Sequence, residues 1–422
     1  MRRIQAGSAL SAFGLGFTVP YLYVYVAQVR GLGATTAGVV LAVFAMAALV
    51  VLPFSGRAID RRGPVPVLLA ASAVAAVGAV GMGLASSVPA AVGAAALLGA
   101  GTAVLQPALA TMIVWCSEPA GRTRAFALQF FLQNLGLGVG GLIGGQLVDV
   151  NRPGSFLLLF SIEAAMFLVL AAVVGTVRTA GSAALQDTRP AAAGKGGGIR
   201  ALLSHKAMVQ LCVLGFVLFF ACYGQFESGL AAYGTEAAGI APSTLGVALA
   251  ANTAVIVLAQ FLVLKFVERR KRTRVIAAVG LIWALAWIIA GYAGLGHGSQ
   301  AMATAAFVST YALFGLGEAM LSPTVAPLVA DLAPESMVGS YNSAFALVKQ
   351  LALAVGPAVG GPMGASLHGP YIVTFVLFSL LVTVLAVRLG KQLTPVQNQP
   401  SLAVRPSRVV AQHQPAQETA AV

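Results

Sequence analysis

Apolar residues fill this chain in long blocks, interrupted by short polar stretches at near-regular intervals. A helix needs about 20 mostly apolar residues to cross a bilayer. Twelve blocks reach that length: 6–28, 34–56, 66–86, 89–115, 126–148, 155–177, 207–233, 243–266, 274–295, 301–330, 341–363 and 370–388. They predict an all-α integral membrane protein with twelve transmembrane helices. The connections are short except for 178–206, whose Gly, Ala and charge predict a flexible cytoplasmic linker. That linker separates an N-terminal six-helix bundle, 1–177, from a C-terminal one, 207–388. The Pro-, Gln- and Arg-bearing segment 389–422 reads as a disordered cytoplasmic tail.

Composition supports the membrane reading. Hydrophobic residues make up 59% and charged residues 9%, whereas a soluble globular protein carries about 25% charge. So few charges cannot cover a water-facing surface, so most of the surface faces lipid. The first block outruns the roughly 7–15 apolar residues of a cleavable signal and is expected to be its own membrane signal.

The net charge of +13 follows from topology. Of 25 Lys and Arg, Arg30 and Arg152 fall in one set of loops and Lys349 falls inside a block. The other 22 lie on the opposite side, including Arg61, Arg62 and the cluster "KFVERRKRTR" at 265–274. The positive-inside rule makes that side cytoplasmic, with both termini. Contact with anionic lipid replaces nucleic acid as the reason for the charge. Cys116, Cys212 and Cys222 show no CxxC spacing, so neither a metal site nor a disulfide framework is expected.

The two halves repeat each other. "TAGVVLA" (36–42) matches "TLGVALA" (244–250) at an offset of 208, which also aligns "DRR" (60–62) with "ERR" (268–270). "GAGTAVLQPALA" (99–110) matches "GLGEAMLSPTVA" (315–326) at an offset of 216, which also aligns "GVGGLIGG" (138–145) with "AVGPAVGG" (354–361). Each half has an even number of spans, so the repeats are parallel. Sites in such proteins lie between the halves near the membrane midplane.

"GRAIDRRG" (56–63) resembles the signature loop of the major facilitator superfamily, with Gly56, Asp60, Arg61 and Gly63 in the matching places; Pro64, Val65 and Pro66 stand where further basic residues are usual. The resemblance implies a major facilitator fold and assigns these four residues to a latch between the halves. Physically, Gly56 permits close helix approach, Gly63 a turn of positive φ, and Asp60 hydrogen bonds from a neighbouring helix N-terminus. "GLGVGGLIGG" (136–145) is similar to the family's antiporter motif through Gly136, Gly140, Gly144 and Gly145, with Gly141 in place of its proline. Span 11 carries the counterpart Gly356, Pro357, Gly360 and Gly361. Small residues at this spacing form a strip for close helix packing, with or without an antiporter meaning. The arginine usual in span 4 of drug antiporters is missing: Ala95 and Leu98 occupy that region. "YGQFESGL" (223–230) and "FGLGEAMLSP" (314–323) resemble a bacterial drug-exporter subgroup.

A carboxylate at the centre of a membrane helix costs about 2.5–3.5 kcal/mol. Three of the twelve acids lie well inside spans: Glu163, Glu227 and Glu318. Glu318 shares a stripe with Tyr311, Phe314 and Ser322, and its repeat partner is Thr102. The resemblance makes spans 1, 4, 7 and 10 the cavity lining, which puts Glu318 in reach of water and cargo. Desolvation favours the neutral acid, suiting a group that loads and releases a proton; the alternative is a structural acid bonded to a neighbouring helix. Glu227, on a face read as shared with Phe216, Phe220 and Tyr223, is the second expected proton-coupling residue, and Glu163 is expected to be structural. The expected cargo-contacting set is Tyr21, Gln106, Gln129, Gln133, Tyr223, Gln225, Asn252, Tyr311, Phe314 and Lys349, with Lys349 opposite Gln133 in the repeat.

The resulting expectation is a monomeric, proton-coupled exporter of hydrophobic or amphipathic small molecules, in drug or natural-product efflux. It would reside in a bacterial cytoplasmic membrane, with the proton as coupling ion and no cofactor. An uptake symporter for a small metabolite and a non-transporting sensor or scaffold are the alternatives. No nucleophile–base set or metal-ligand cluster suggests an enzyme.

Overall fold

The computed structural model describes residues 2–18, 21–149, 152–187, 199–226, 228–294 and 299–402. Among these, eleven helices are long and apolar enough to cross a membrane, and a bent pair supplies the twelfth span. That pair is α1 (Arg2–Thr18) and α2 (Leu22–Val24), the latter wound on as a π-helical turn over Tyr25–Val29. The axis turns by 42° between them. The sequence places Pro20 there, and proline has no amide proton for the helical ladder.

The N-terminal half continues with α3 (Ala34–Arg62), α4 (Pro64–Leu84), α5 (Val88–Trp115), α6 (Arg122–Leu147) and α7 (Pro153–Asp187). A short α8 (Ile199–Ser204) leads into the C-terminal half. There span 7 is α9 (Lys206–Ala221) and α10 (Gly229–Glu236), followed by α11 (Pro242–Val267), α12 (Arg272–Ala293), α13 (Gln300–Leu332), α14 (Val338–Ser366) and α15 (His368–Gly390). Span 7 is interrupted without a proline, at a place the 208 offset maps onto the break in span 1. Its freed backbone is satisfied internally, as a low-dielectric setting demands. Gln225 Nε2 donates to the Phe220 carbonyl at 3.1 Å and the Tyr311 hydroxyl to the Phe226 carbonyl at 2.7 Å.

The halves are built around different cores. In the N-terminal one small residues bring α4 and α5 together, Gly78 against Leu98 and Gly101 against Ala75, with one ring cluster at Tyr25, Phe156 and Phe160. The C-terminal one packs rings, with Trp287 stacked on Phe375 at 4.9 Å and edge-on to Phe314 at 5.5 Å.

Polar contacts between the halves concentrate at the end bearing the basic loops. Asp60 of α3 accepts from the Gly339 and Ser340 amides at the start of α14, at 2.7 and 3.0 Å. Asp331 at the end of α13 pairs with Arg122 of α6 at 2.5 Å and with Arg272 of α12 at 2.7 Å. Asn342 donates to Thr111 Oγ1 at 3.4 Å, and Ser55 and Ser343 hydroxyls meet at 3.0 Å. An apolar plug of Ile113, Val114, Phe126, Ala330 and Val338 fills in behind.

Two connecting segments and one helix face depart from expectation. The first part of the linker is not irregular chain: α7 runs on to Asp187, and α8 occupies 199–204. The beginning of the tail is docked. Thr394 and Gln397 form a capping box over α16 (Pro395–Asn398), and Asn398 Oδ1 takes the Thr273 amide and hydroxyl, each at 3.1 Å. A start of α12 with unsatisfied amides supplies the partner that composition could not reveal. Third, Gly361 and Pro357 leave the packing strip. A Cβ on Gly361 would meet nothing within 4 Å, and Pro357 is exposed.

Candidate functional site

A cavity of about 580 Å³ lies between the halves, lined from α1, α3, α5 and α6 on one side and α9, α13 and α14 on the other. Pockets for drug-sized ligands run to roughly 300–1,000 Å³. Spans 1, 4, 7 and 10 contribute as expected; spans 5 and 11 and two residues of span 2, Phe44 and Ala48, contribute as well. Two of the lining side chains are charged, Glu318 and Lys349, and both belong to the C-terminal half.

Glu318 is held in phase by the glycines around it. A Cβ on Gly315 would strike the Asn252 backbone, and one on Gly317 the Trp283 indole. Glycine at both places therefore lets α13 press against α11 and α12. Glu318 stays 4% exposed on the cavity wall. Asn252 Nδ2 donates to its Oε1 at 2.8 Å, and the Tyr223 hydroxyl bonds the same group.

Lys349 is exposed to the cavity. Its ammonium lies 5.4 Å from the Phe219 ring centre and 5.5 Å from that of Tyr223, within cation–π range. The direct ion pairs among the described residues are Arg122–Asp331, Arg152–Asp149 and Arg272–Asp331. Glu318 and Lys349 are not so joined, although Tyr223 touches both.

The remaining predicted residues fall into two groups. On the cavity wall are Gln106, Gln129 and Gln133. Gln133 Nε2 donates to Ser8 Oγ at 3.1 Å, and Gln129 donates to the same oxygen. Off the wall are Tyr21, Gln225, Asn252, Tyr311 and Phe314. Asn252 bonds Glu318 from behind the wall. Tyr21 donates to the Gly141 carbonyl at 2.8 Å and so ties α6 to the start of α2. Gln225 is fully buried, bridging the break in span 7 and accepting from Tyr371 at 3.1 Å. Tyr311 is 1% and Phe314 0% exposed, both within the aromatic core. These corrections share a cause: a nearly all-apolar helix has no polar face to fix its rotation, so neighbouring packing decides which stripe meets the cavity. For the same reason Phe219, not Phe216 or Phe220, accompanies Tyr223 on the wall; Phe220 stacks on Phe375 at 5.6 Å. The i, i+4 spacing of Phe219 and Tyr223 was the available signal. Glu227 lies outside the described residues. Glu163 is fully buried, with the Thr18 side chain beside it.

Of the loop residues, Gly56 and Asp60 lie where α3 meets α14, Arg61 is exposed, and Gly63 ends α3 beside Trp115 of α5. A Cβ on Gly56 would come 2.7 Å from the Ser340 backbone, and Gly63 has φ +85°. In the strips, a Cβ at Gly136 would overlap the Ala9 carbonyl, at Gly140 that of Phe13 and at Gly145 the Tyr21 hydroxyl, while one at Gly144 would fit tightly against Phe17 and Tyr21. Gly356 and Gly360 seat on Gly224 and Gln225 of span 7 in the same manner.

The family model described as Major Facilitator Superfamily matches residues 6–357 and again 235–417. The chain belongs to the Major Facilitator Superfamily. Among relatives in this superfamily, the uncharacterized MFS-type transporter YttB of Bacillus subtilis (strain 168) is 26% identical over 91% of this chain and 92% of its own. The multidrug resistance protein MdtG of Enterobacter lignolyticus (strain SCF1) is 30% identical over 40% of this chain and 41% of its own. The fold matches a bacterial homologue of the iron transporter ferroportin, solved in its outward-facing state, with TM-score 0.78 at 14% identity, covering 92% of this chain and 99% of that one. As a superfamily member the chain is a multi-pass membrane transporter of a small-molecule cargo.

Proposed function

We propose that this transporter is a proton-coupled exporter of hydrophobic or amphipathic small molecules, working by alternating access in a bacterial cytoplasmic membrane. The observation that carries the reading is Glu318, an acid on the wall of an otherwise mostly apolar cavity between two repeats. An acid so placed costs stability, which function offsets. The basic end is taken as cytoplasmic, with both termini there. The contacts of Asp60 and Asp331 hold that end closed, so the cavity faces outward, where protons are supplied. A proton taken up by Glu318 releases cargo outward; reorientation toward the cytoplasm returns the proton and admits new cargo. A relative named for multidrug resistance supports efflux. Because one chain carries both repeats, a monomer is the proposed working unit.

The test uses purified protein in liposomes loaded with a lipophilic dye. An acid-outside gradient should drive the dye outward when the protein's basic end faces the lumen. Dye moving inward with the protons instead would establish an uptake symporter.

A further inference from the structure

We propose that the cavity is built for a zwitterionic amphipath, its ammonium seated at Glu318 and its carboxylate at Lys349, with an aromatic or aliphatic body along the apolar wall. This deepens the transport reading and rests on the cavity being the cargo site. The two charges lie on one wall, share Tyr223 as a neighbour and make no direct ion pair with each other. Asn252 and Tyr223 bond Glu318, and Lys349 acts on it at longer range, but neither charge touches an opposite one, so each has room for a charged partner in the cavity. An organic cation would suit Glu318 but meet the Lys349 ammonium, which already occupies the faces of Phe219 and Tyr223. An organic anion would suit Lys349 but meet the carboxylate. An uncharged lipophile would strip water from both charges and return nothing. A molecule carrying both signs satisfies both, by charge-assisted hydrogen bonds, while Phe44, Phe130, Leu137 and Phe345 receive its body.

The repeat argues that these charges are not a requirement of the frame. The 216 offset maps Glu318 onto Thr102 and Lys349 onto Gln133. Both of those residues also line the cavity, and both are neutral. The same helix positions thus fold without charge in the other half.

The groups facing Glu318 set the sense of exchange. Span 7 brings Tyr223 and Cys222, α14 brings Lys349, α11 brings the Asn252 carboxamide, and α12 brings the Trp283 indole near Gly317. None of these replaces the carboxylate as a partner for the cargo's ammonium. A proton on Glu318 therefore removes that partner and expels a zwitterion.

The test measures equilibrium binding to the full chain in lipid nanodiscs by dansyl fluorescence, with no gradient imposed. The probes are Nε-dansyl-lysine, its methyl ester (a cation) and its Nα-acetyl form (an anion). The wild type should bind the zwitterion at least about tenfold more tightly than either derivative, the factor one charge-assisted contact gives. Lys349→Gln should erase the advantage over the ester, Glu318→Gln the advantage over the acetyl form, and Lys349→Arg should keep it. Thermal melting confirms that each variant is folded, and the wild-type ratios stand by themselves should a variant misfold. Three affinities within about threefold in the wild type, no binding of the zwitterion, or an undiminished preference in folded Lys349→Gln would overturn the proposal. Discrimination without proton-driven flux of the dansyl zwitterion would instead overturn the exporter reading alone, and dye flux without discrimination this inference alone.

Discussion

In the N-terminal half, α6 lays Gly140 onto Phe13 and Gly16; in the C-terminal half, α14 lays Gly356 onto Gly224. The offset of 208 carries Gly16 to Gly224, and that of 216 carries Gly140 to Gly356. Both halves also break their first span at matching places. What faces the cavity differs. Thr102 and Gln133 on one side answer Glu318 and Lys349 on the other. The core behind them differs too: aliphatic residues with one ring cluster at Tyr25, Phe156 and Phe160 in one half, and a larger network of rings around Trp287 and Phe375 in the other. Close helix approach is a backbone requirement that any copy of the fold must meet, so it persists in both repeats. Charge in a membrane interior is costly, and at Glu318 the dense packing around Trp283 and Phe314 holds it in place.

If the frame is shared, damage to it should be equal in the two halves. Gly140→Val and Gly356→Val should each destabilise the protein by about 3 kcal/mol through overpacking, read as a lowered melting temperature in detergent. Tolerance of valine in one half alone would break the symmetry. The basic end offers a sharper contrast. Asp60 caps the start of α14, whereas Glu268, its partner by the 208 offset, is exposed. Asp60→Ala should lose about 1–2 kcal/mol of capping and shift the closed-to-open ratio of the basic end roughly tenfold. Glu268→Ala should shift it less than about twofold, as surface changes do. Electron–electron distance measurements between spin labels at Glu118 and Glu335 report that ratio. The smallest effect is expected at Gly361, where an added Cβ meets open space. Gly361→Ala should change stability by less than about 0.5 kcal/mol, while Gly360→Ala, which would push into Gln225, should cost about 1–3 kcal/mol. Equal melting of the two would show that the strip is not packed as described.

The spans, the repeat and the Asp60 contact were legible because each rests on a local pattern: block length, register, and a carboxylate beside glycine. The strips at 136–145 and 354–361 were legible as strips, but Gly361 and Pro357 were not separable from Gly356 and Gly360, since only the partner helix decides which face is covered. The interruption of span 7 left no local mark. Its backbone is satisfied by Gln225 and Tyr311, residues that read as cavity polar groups until the break is seen. The Arg122–Asp331–Arg272 cluster was equally hidden, because its members come from three helices far apart in sequence. Glu318 was legible because a single acid in an apolar block has to be accounted for; the aromatic face shared by Phe219 and Tyr223 beneath Lys349 was not, because several apolar stripes on span 7 were equivalent.

The account turns on Glu318 carrying the proton that exchanges for cargo. Lumenal pH should be recorded in proteoliposomes while dye leaves down its own gradient, with no pH difference imposed at the start. The wild type and Thr102→Ala should acidify the lumen as dye departs, and Glu318→Gln should release dye with at least about tenfold less acidification. Acidification by Glu318→Gln at the wild-type rate would contradict the account.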